Sequence, residues 1–265
     1  MLALIAGTGA LPGEICARLM RRGETPLVCV MRGVAPEVPA TLPRLDFRIE
    51  SFGSLLADLA ARGVTRLCMA GAMTRPEVDP AAIDAATAPL VPELVAAMAR
   101  GDDGTLRAFI AFFEGAGLSV VAAHEIAGDL LPPSGVLAGP VPDTALETAA
   151  RLGEATVARM GAADIGQACV VDAGAVLATE GPAGTDAMLA GLAAPGAVLF
   201  KAPKPGQDRR ADLPVIGPGT VAGAARAGLR AIVIEAGGVM VLDRDKVIAG
   251  CAAAGLTLWV REHGG

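Results

Sequence analysis

The chain has 265 residues, of which 53% are hydrophobic and 19% are charged, and its formal net charge at pH 7 is -6. This composition excludes an intrinsically disordered chain and leaves room for one large domain or two small ones. An acidic chain with 3% aromatic residues also lacks the basic faces and stacking platforms of nucleic-acid-binding proteins, so no nucleic-acid partner is expected.

Histidines and cysteines restrict the chemistry further. The chain has two histidines and five widely spaced cysteines without a CxxC pair, which argues against a zinc site and a Ser-His-Asp triad. Although the mean hydropathy is +0.53, no run of about 18 apolar residues could span a bilayer, and the first residues lack the basic region of a signal peptide. We therefore expect a cytoplasmic protein.

The first half of the chain alternates apolar runs with helical stretches. Strands are predicted over 2–6, 26–31, 46–49, 65–70 and 118–122. Helices are predicted from the first glycine turn to about residue 22, over 51–62 and over 102–117. This alternation is typical of parallel βαβ units, so residues 1–128 are predicted to form a Rossmann-like nucleotide-binding domain.

The second half has a different pattern. The segment 129–143 is rich in proline and glycine, which predicts an interdomain linker. Residues 144–265 then combine helices with short strands, two of which flank a hairpin-like turn at 172–174, and this predicts a mixed α/β domain. Asp143 and Asp243 are each predicted to cap the helix that follows them.

The segment 201–220 concentrates charge between prolines and glycines. It contains the bases Lys201, Lys204, Arg209 and Arg210 and the acids Asp208 and Asp212. Cations neutralise phosphate oxygens, while carboxylates hold a divalent metal or orient a water, so the composition predicts chemistry on a phosphate ester or anhydride. The alternative is a solvated loop that is closed by surface ion pairs.

The turn from Gly7 to Gly13 is a second candidate. It resembles the GxGxxG fingerprint, but its third glycine comes one residue late and no acidic residue ends the second strand, which weakens dinucleotide binding. Backbone N–H groups at Gly7, Gly9 and Leu11 could still contact a ligand. A bare strand-to-helix turn is the competing interpretation.

Further polar residues follow strands or begin helices. Arg75 lies just beyond the fourth strand, and Asp102 and Asp103 begin a helix, where simple capping is an equal alternative. Glu180 and Asp186 flank a loop that follows a strand. Together with Asp208 and Asp212 they are the candidate metal ligands, although none of the four has the spacing of a known cassette.

Several short motifs, weak singly, form a specific series along nearly the whole chain. They are Gly9-Ala-Leu-Pro12, Gly71-Ala-Met-Thr-Arg-Pro76, Gly101-Asp-Asp103, Asp164-Ile-Gly-Gln-Ala168, Glu180 with Gly184-Thr-Asp186, Lys204-Pro-Gly-Gln-Asp-Arg-Arg-Ala-Asp-Leu-Pro214, Ala227-Gly-Leu229 and Glu235-Ala-Gly237. In this order they resemble the UDP-2,3-diacylglucosamine pyrophosphatases of the LpxI type, which are unrelated to the calcineurin-like phosphoesterases. One departure is Ala183, where a further acid is expected.

The resemblance implies a magnesium-dependent hydrolase of lipid A biosynthesis. Such an enzyme splits UDP-2,3-diacylglucosamine into UMP and 2,3-diacylglucosamine 1-phosphate (lipid X). The family has one essential aspartate in its C-terminal domain, which corresponds here to Asp212 or Asp208. We prefer Asp212, because the rigid pair Leu213-Pro214 follows it.

The expected mechanism is attack of a water on one phosphorus of the pyrophosphate, assisted by Mg²⁺. Lys204, Arg209 and Arg210 would stabilise the developing charge, and the metal ligands would come from Asp212, Asp208, Asp186 and Glu180. The residues expected to contact the substrate are Gly7, Gly9, Leu11, Arg75, Asp102, Asp103, Gln167, Thr185 and Thr220.

The expected substrate also places the enzyme near a membrane. Two acyl chains, at about 0.8 kcal/mol per buried CH₂, keep the substrate in the bilayer, so the enzyme would associate transiently with the inner face of the cytoplasmic membrane. Small-residue helices such as 220–227 could mediate homo-oligomerisation. Two other functions stay open: a dinucleotide-dependent oxidoreductase, from the glycine turn, and a non-catalytic lipid or nucleotide carrier, from the apolar excess.

Overall fold

The computed structural model describes residues 1–73, 76–99, 101–172 and 174–264, with the backbone alone of Asp102. It divides into two compact units. The first comprises Met1–Gly128 and Asp208–Asp212, and the second comprises Asp129–Gln207 and Leu213–Gly265. The short segment 208–212 therefore belongs to the first unit, although the chain on both sides of it belongs to the second.

The first unit is built on a parallel sheet. Its elements are β1 (Leu2–Ala6), α1 (Leu11–Arg21), β2 (Leu27–Met31), β3 (Arg44–Phe47), α2 (Phe52–Ala61), β4 (Arg66–Ala70), α3 (Val91–Met98), α4 (Gly101–Gly115), β5 (Ser119–Val121) and α5 (Ala123–Ile126). The five strands are all parallel, in the order β3-β2-β1-β4-β5. This order is that of a Rossmann-like sheet, which confirms the predicted class of the N-terminal domain.

The core of the first unit explains why α4 has helical periodicity. Phe52, at the start of α2, is buried and meets the rings of Phe109, Phe112 and Phe113 edge-on, with centroids 5.1–5.9 Å apart. Edge-to-face pairs of this kind contribute about 0.5–1.5 kcal/mol each beyond the area that they bury. Four of the seven aromatic residues of the chain thus pack two helices of this unit against each other.

The turns that follow β1 and β4 are hydrogen-bonded to each other. The Gly7 N–H donates to the Ala70 carbonyl at 2.8 Å, and the Thr8 N–H donates to the Ala72 carbonyl at 2.8 Å. A Cβ atom on Gly7 would lie 2.5 Å from the Ala72 oxygen, so this position requires glycine for packing. The N–H groups of Gly7 and Thr8 therefore serve the fold, which weakens the prediction that the turn binds a ligand.

The second unit contains a six-stranded mixed sheet and a separate two-stranded ladder. Its elements are β6 (Gly135–Ala138), α6 (Thr144–Ala162), β7 (Ala168–Val171), β8 (Val176–Thr179), α7 (Gly184–Ala190), β9 (Val198–Lys201), β10 (Val215–Ile216), α8 (Pro218–Arg226), β11 (Ala231–Glu235), β12 (Met240–Val241), α9 (Arg244–Ala254) and β13 (Thr257–Arg261). The large sheet has the order β6-β13-β11-β9-β7-β8, and β10 pairs with β12. The mixed sheet confirms the predicted class of the C-terminal domain.

Strand β6 corrects one boundary. The segment 129–143 was predicted to be a linker, but β6 lies inside it and pairs antiparallel with β13 at the edge of the large sheet. Prolines precede and follow the strand without interrupting it, and edge positions tolerate them. The second unit accordingly begins at Asp129 and includes this segment.

The two faces of the large sheet carry two separate apolar cores, because successive strand residues point to opposite faces. On one face, Val198 and Phe200 of β9 pack with α6. On the other, Leu199 of β9 packs with α7, α8 and α9. The central strands are thus covered on both sides, which accounts for their unbroken apolar sequences.

The predicted helix caps have different outcomes. The Asp143 carboxylate accepts a hydrogen bond from the Leu146 N–H at 2.6 Å, so Asp143 caps α6 as predicted. Asp243 precedes α9 with a left-handed φ of 48° and makes no side-chain cap, so that prediction is wrong. No helix in the described part of the chain combines the length and the apolar character that a membrane span needs.

The contact of Gly7 with the β4 turn yields a stability prediction. We expect Gly7→Ala to lower the free energy of unfolding by about 1–3 kcal/mol, because the colliding atoms are backbone and cannot move aside cheaply. Urea unfolding followed by circular dichroism measures the change. Gly115→Ala, at the end of α4 with open space around it, is the matched control and should be neutral or slightly stabilising. Equal stability of the Gly7 variant and the wild type would contradict the prediction.

Candidate active site

Three neighbouring parallel strands of the second unit end in buried charged residues. Lys201 ends β9, Glu235 ends β11 and Arg261 ends β13, and each is at most 8% exposed. Glu235 and Arg261 are register partners, and Lys201 pairs with Ile234. Ligands of parallel sheets bind at the carboxyl ends of the strands, so this charged edge is a candidate site. Sequence reasoning noted that Glu235 ends a strand, but it did not use the charged residues that end β9 and β13.

Lys201 begins a hydrogen-bonded chain that ends on Glu180. The Lys201 ammonium donates to the Thr185 hydroxyl at 2.8 Å, and that hydroxyl donates to Glu180 Oε1 at 2.6 Å. The second oxygen of Glu180 accepts from the Gln167 N–H at 2.7 Å. The side chains of Lys201, Thr185 and Glu180 are all buried, so these hydrogen bonds compensate the two buried charges. Asp186, which was predicted as a metal ligand with Glu180, is exposed in the first turn of α7.

Glu154 and His263 contact the other two strand ends. The Arg261 guanidinium donates to Glu154 of α6 at 2.8 Å and lies 5.9 Å from the centroid of the Trp259 ring. His263 contacts Glu235 at 3.0 Å and Glu154 at 3.3 Å. The hydrogen bond to Glu235 raises the pKa of the His263 imidazole, and the Glu154 charge adds to the effect. These pairs fix the carboxyl edge of β11 and β13.

Lys204 is held by an acid at the end of α6. The Lys204 ammonium forms an ion pair with Asp164, and the Lys204 backbone N–H donates to the Gln207 side-chain oxygen at 3.1 Å. The Lys204 side chain is 12% exposed. Asp164 has a left-handed φ of 52°, a conformation that costs a residue other than glycine roughly 1 kcal/mol. Sequence reasoning noted Asp164 only as part of a motif and missed this contact.

The segment 208–212 is attached to α4 of the first unit by ion pairs. Arg210 forms a bidentate pair with the Asp208 carboxylate, with its Nε at 3.0 Å and its Nη2 at 2.7 Å. The other nitrogen of Arg210 donates to Glu114 at 2.6 Å. Arg107 approaches Asp208 to 4.0 Å, and Ala211 packs against the apolar core of this unit.

Asp103 completes this network. Its carboxylate accepts from Arg107 at 2.7 Å and from the Asp208 N–H at 3.4 Å. Asp103 was predicted to contact the substrate, and in the structure it ties α4 to the segment 208–212. The bidentate contact with Arg210 lowers the pKa of the Asp208 carboxyl below its ordinary value of 3.8, with a smaller contribution from Arg107.

These contacts divide the stretch 201–220, which was predicted to lie wholly in the C-terminal domain, between the two units. Lys204 belongs to the second unit, whereas Asp208 and Asp212 belong to the first. Arg209 is exposed and Asp212 is half-buried, and the Asp212 N–H donates to the Asp208 carbonyl at 3.3 Å. The physical reason is the ion-pair network, which composition alone does not reveal.

The candidate metal ligands do not form a ready-made cluster. In the described residues, no three His, Cys, Asp or Glu side chains come together in a way that could hold a metal ion. Asp208 is engaged by Arg210, and Glu180 by Thr185 and Gln167. A Mg²⁺ ion bound by one carboxylate and by phosphate oxygens needs no such cluster, so a single carboxylate such as that of Asp212 would be enough to hold it.

The remaining predicted contacts are placed as follows. Leu11 is buried as the first residue of α1, and Gly9 is exposed with a φ of 87°. The Thr220 hydroxyl accepts from the Gly217 N–H at 3.4 Å at the start of α8, which is a capping contact. Arg75 and the side chain of Asp102 lie outside the described residues.

A small cleft lies at the carboxyl edge of β2 and β3 in the first unit. Its volume is about 190 Å³, and it is lined in part by Arg32, Arg48 and Glu50. The Asp79 N–H donates to Glu50 at 3.0 Å, and this bond with the Arg48 contact lowers the pKa of the Glu50 carboxyl to about 2. The cleft is smaller than the 300–1,000 Å³ of typical ligand pockets, so it could hold only part of a ligand.

Comparison with known proteins gives family matches along nearly the whole chain. Residues 1–130 match the model of the LpxI N-terminal domain, and residues 133–259 match that of the LpxI C-terminal domain. The chain is also similar to the UDP-2,3-diacylglucosamine pyrophosphatase LpxI of Caulobacter vibrioides. The two sequences are 41% identical over 274 residues, which cover 96% of this chain and 95% of the relative.

The Asp208–Arg210 pair yields a prediction of pH dependence. Because the folded pKa of Asp208 is lowered, the pair stabilises the protein above about pH 4, and this contribution is lost as the pH falls below the ordinary value of 3.8. We expect Asp208→Asn to lose less stability than the wild type between pH 7 and pH 3 in urea titrations. Arg210→Gln, which removes the main cause of the lowered pKa, should behave in the same way. Three equal pH profiles would contradict the prediction.

The Lys201–Thr185–Glu180 chain yields a second prediction. We expect Thr185→Val to lower the free energy of unfolding by roughly 1.5–3 kcal/mol, because two buried charged groups each lose a hydrogen bond. Thr185→Ser keeps the hydroxyl and should retain most of the stability. Thr179→Val, on the exposed strand β8, is the matched control and should be near neutral. Similar effects at both positions would contradict this role of Thr185.

Proposed function

The chain belongs to the LpxI family, and we propose on that basis that it hydrolyses UDP-2,3-diacylglucosamine to UMP and 2,3-diacylglucosamine 1-phosphate. The observation that carries the proposal is the 41% identity to a UDP-2,3-diacylglucosamine pyrophosphatase over 96% of the chain. Both domain models of the family also match, so the resemblance is not confined to a single nucleotide-binding fold.

The reaction adds one water across a phosphoric anhydride. The water oxygen forms a new bond to one phosphorus, and the bridging oxygen leaves with the other phosphate, so that each product carries a phosphate monoester. The pyrophosphate is an anion throughout, and negative charge develops on the leaving oxygen. Fixed cations that stabilise this charge lower the barrier.

Lys204 is the cation that we assign to this task in the second unit. Its ammonium is positioned by Asp164 and its side chain is largely buried, so it holds its charge in a defined place. A charge in a partly desolvated setting interacts more strongly with a phosphate than a solvated surface charge does. Arg210, in contrast, is committed to Asp208 and Glu114 and is better assigned to holding the segment 208–212.

Asp212 is the carboxylate that we assign to the chemistry. Asp208, the other candidate, accepts a bidentate pair from Arg210, which makes it a structural partner. Asp212 is half-buried and would orient the attacking water or hold Mg²⁺ together with phosphate oxygens. When bound, Mg²⁺ would neutralise part of the negative charge on the phosphate oxygens.

We also propose that the protein is cytoplasmic and works at a membrane surface. A substrate with two acyl chains remains in a bilayer, at about 0.8 kcal/mol per buried CH₂, so the enzyme must approach the lipid surface to reach the headgroup. The dinucleotide alternative is weaker, because the N–H groups of Gly7 and Thr8 are bonded to Ala70 and Ala72.

The assignment is tested by UMP release in the presence of Mg²⁺. We expect Asp212→Asn and Lys204→Gln each to lower kcat/KM by about 10²-fold or more, because each removes one contributor to charge stabilisation or to orientation of the water. Chelation of the metal should abolish activity, and added Mg²⁺ should restore it.

The matched control is Lys246→Gln, which removes a 73% exposed lysine of α9 and should leave kcat/KM unchanged. Full activity of Asp212→Asn would show that the carboxylate has been assigned wrongly. Full activity of the wild type in excess chelator would overturn the proposed use of Mg²⁺. Absence of any UMP release by the wild type would overturn the proposed function itself.

A further inference from the structure

The end of helix α6 departs from a pattern that five other helices follow. Five described helices, α1, α2, α4, α8 and α9, end in a left-handed glycine with the paired hydrogen bonds of a Schellman motif. These glycines are Gly23, Gly63, Gly117, Gly228 and Gly255. Glycine suits the position because it has no Cβ atom to be crowded in this conformation.

Helix α6 makes the same motif with an aspartate. The Ile165 N–H donates to the Met160 carbonyl at 3.0 Å, and the Asp164 N–H donates to the Gly161 carbonyl at 3.1 Å. Asp164 has a φ of 52°, so it occupies the position that glycine takes elsewhere in this chain. The backbone conformation would favour glycine at this position, so a role of the side chain has to explain why aspartate is present.

The Asp164 side chain contacts the ammonium of Lys204. The rest of Lys204 is fixed as well, because it packs on Gly161, where an added Cβ atom would lie 3.1 Å from Lys204 Cβ and 2.7 Å from Pro205 Cδ. A lysine ammonium has three N–H donors, so one can remain on Asp164 while the others bind phosphate oxygens. Holding the long side chain in place beforehand removes an entropic cost of binding.

We propose that Asp164 is a positioning residue, which orients the Lys204 ammonium for the pyrophosphate and trades local backbone stability for that orientation. The inference rests on the proposed function, since it assumes that Lys204 binds the substrate. A purely structural ion pair would instead add to stability and leave the reaction unchanged.

The chain offers a matched control for this distinction. Asp243 is the other described residue besides glycine with a positive φ, at 48°, and it pairs with Lys246 on the surface, with side chains 48% and 73% exposed. Asp243 thus repeats the aspartate–lysine pair and the left-handed backbone, but at an exposed helix start. Replacing both aspartates in parallel separates the effect of the backbone from the effect of the positioned lysine.

The first experiment compares Asp164→Gly, Asp164→Asn and Asp243→Gly in thermal melts and in UMP release. We expect Asp164→Gly to keep or raise Tm while kcat/KM falls at least tenfold, because glycine suits the backbone but cannot hold Lys204. Asp164→Asn should also lose at least tenfold, and Asp243→Gly should keep wild-type kcat/KM. A parallel fall of Tm and activity in Asp164→Gly, or full activity of Asp164→Asn, would overturn the proposal.

The second experiment is a double-mutant cycle with Lys204→Gln. If Asp164 acts through Lys204, adding Asp164→Asn to Lys204→Gln should lower kcat/KM by less than twofold. Equal losses in both backgrounds would show that Asp164 acts independently and would overturn the proposal. Full activity of Lys204→Gln alone would instead remove Lys204 from the proposed mechanism. If kcat/KM fell in Lys204→Gln but not in the Asp164 variants, only the positioning role of Asp164 would be refuted.

Discussion

The bidentate pair of Asp208 and Arg210 determines how the charged stretch of this chain can be interpreted. Its neighbours Arg107 and Glu114 are 47% and 46% exposed, and exposed ion pairs contribute about 0–1 kcal/mol each. Asp208 is only 12% exposed and receives two parallel hydrogen bonds, so the stronger interaction is concentrated there. The pair makes Asp208 and Arg210 parts of the scaffold and sets them apart from Asp212 and Lys204, for which we propose roles in the reaction.

In the second unit, the geometry of the strands decides where charged residues meet. Lys201, Glu235 and Arg261 end adjacent parallel strands, so the sheet itself brings their charges to one edge. Buried charges require partners, which are supplied by neighbouring helices and loops through Thr185 and Glu154. Among the described contacts of this edge, one histidine, His263, takes part through Glu235 and Glu154.

Much of the fold could be predicted from local pattern. The strand 231–235 was predicted at its observed bounds, because an apolar run between two turns leaves little ambiguity. The third strand lies two residues earlier than predicted, since Ile49–Ser51 forms a 3-10 helix. Strand β6 was missed because its partner, β13, lies more than a hundred residues away and proline obscures the local signal.

The candidate site was less predictable for a related reason. Composition identified the charges of 201–220, but it could not show that Arg107 and Glu114 would engage two of them from a distant helix. Asp164 was invisible as a functional residue, since its importance depends on a backbone angle and on a lysine forty residues later. Local patterns predict elements, whereas partners across the fold determine which charges are engaged.

Helix α6 also limits how this protein can be engineered. Replacing helical glycines by alanine is a common route to thermostability, since it lowers the entropy of the unfolded chain. Neither glycine of α6 can be replaced in this way. A Cβ atom on Gly153 would lie 2.5 Å from Phe200, and one on Gly161 would collide with Pro205 and Lys204. Helix α6 can lie this close to Lys204 only because Gly161 has no side chain. Any stabilised form of the enzyme would have to leave these two positions untouched.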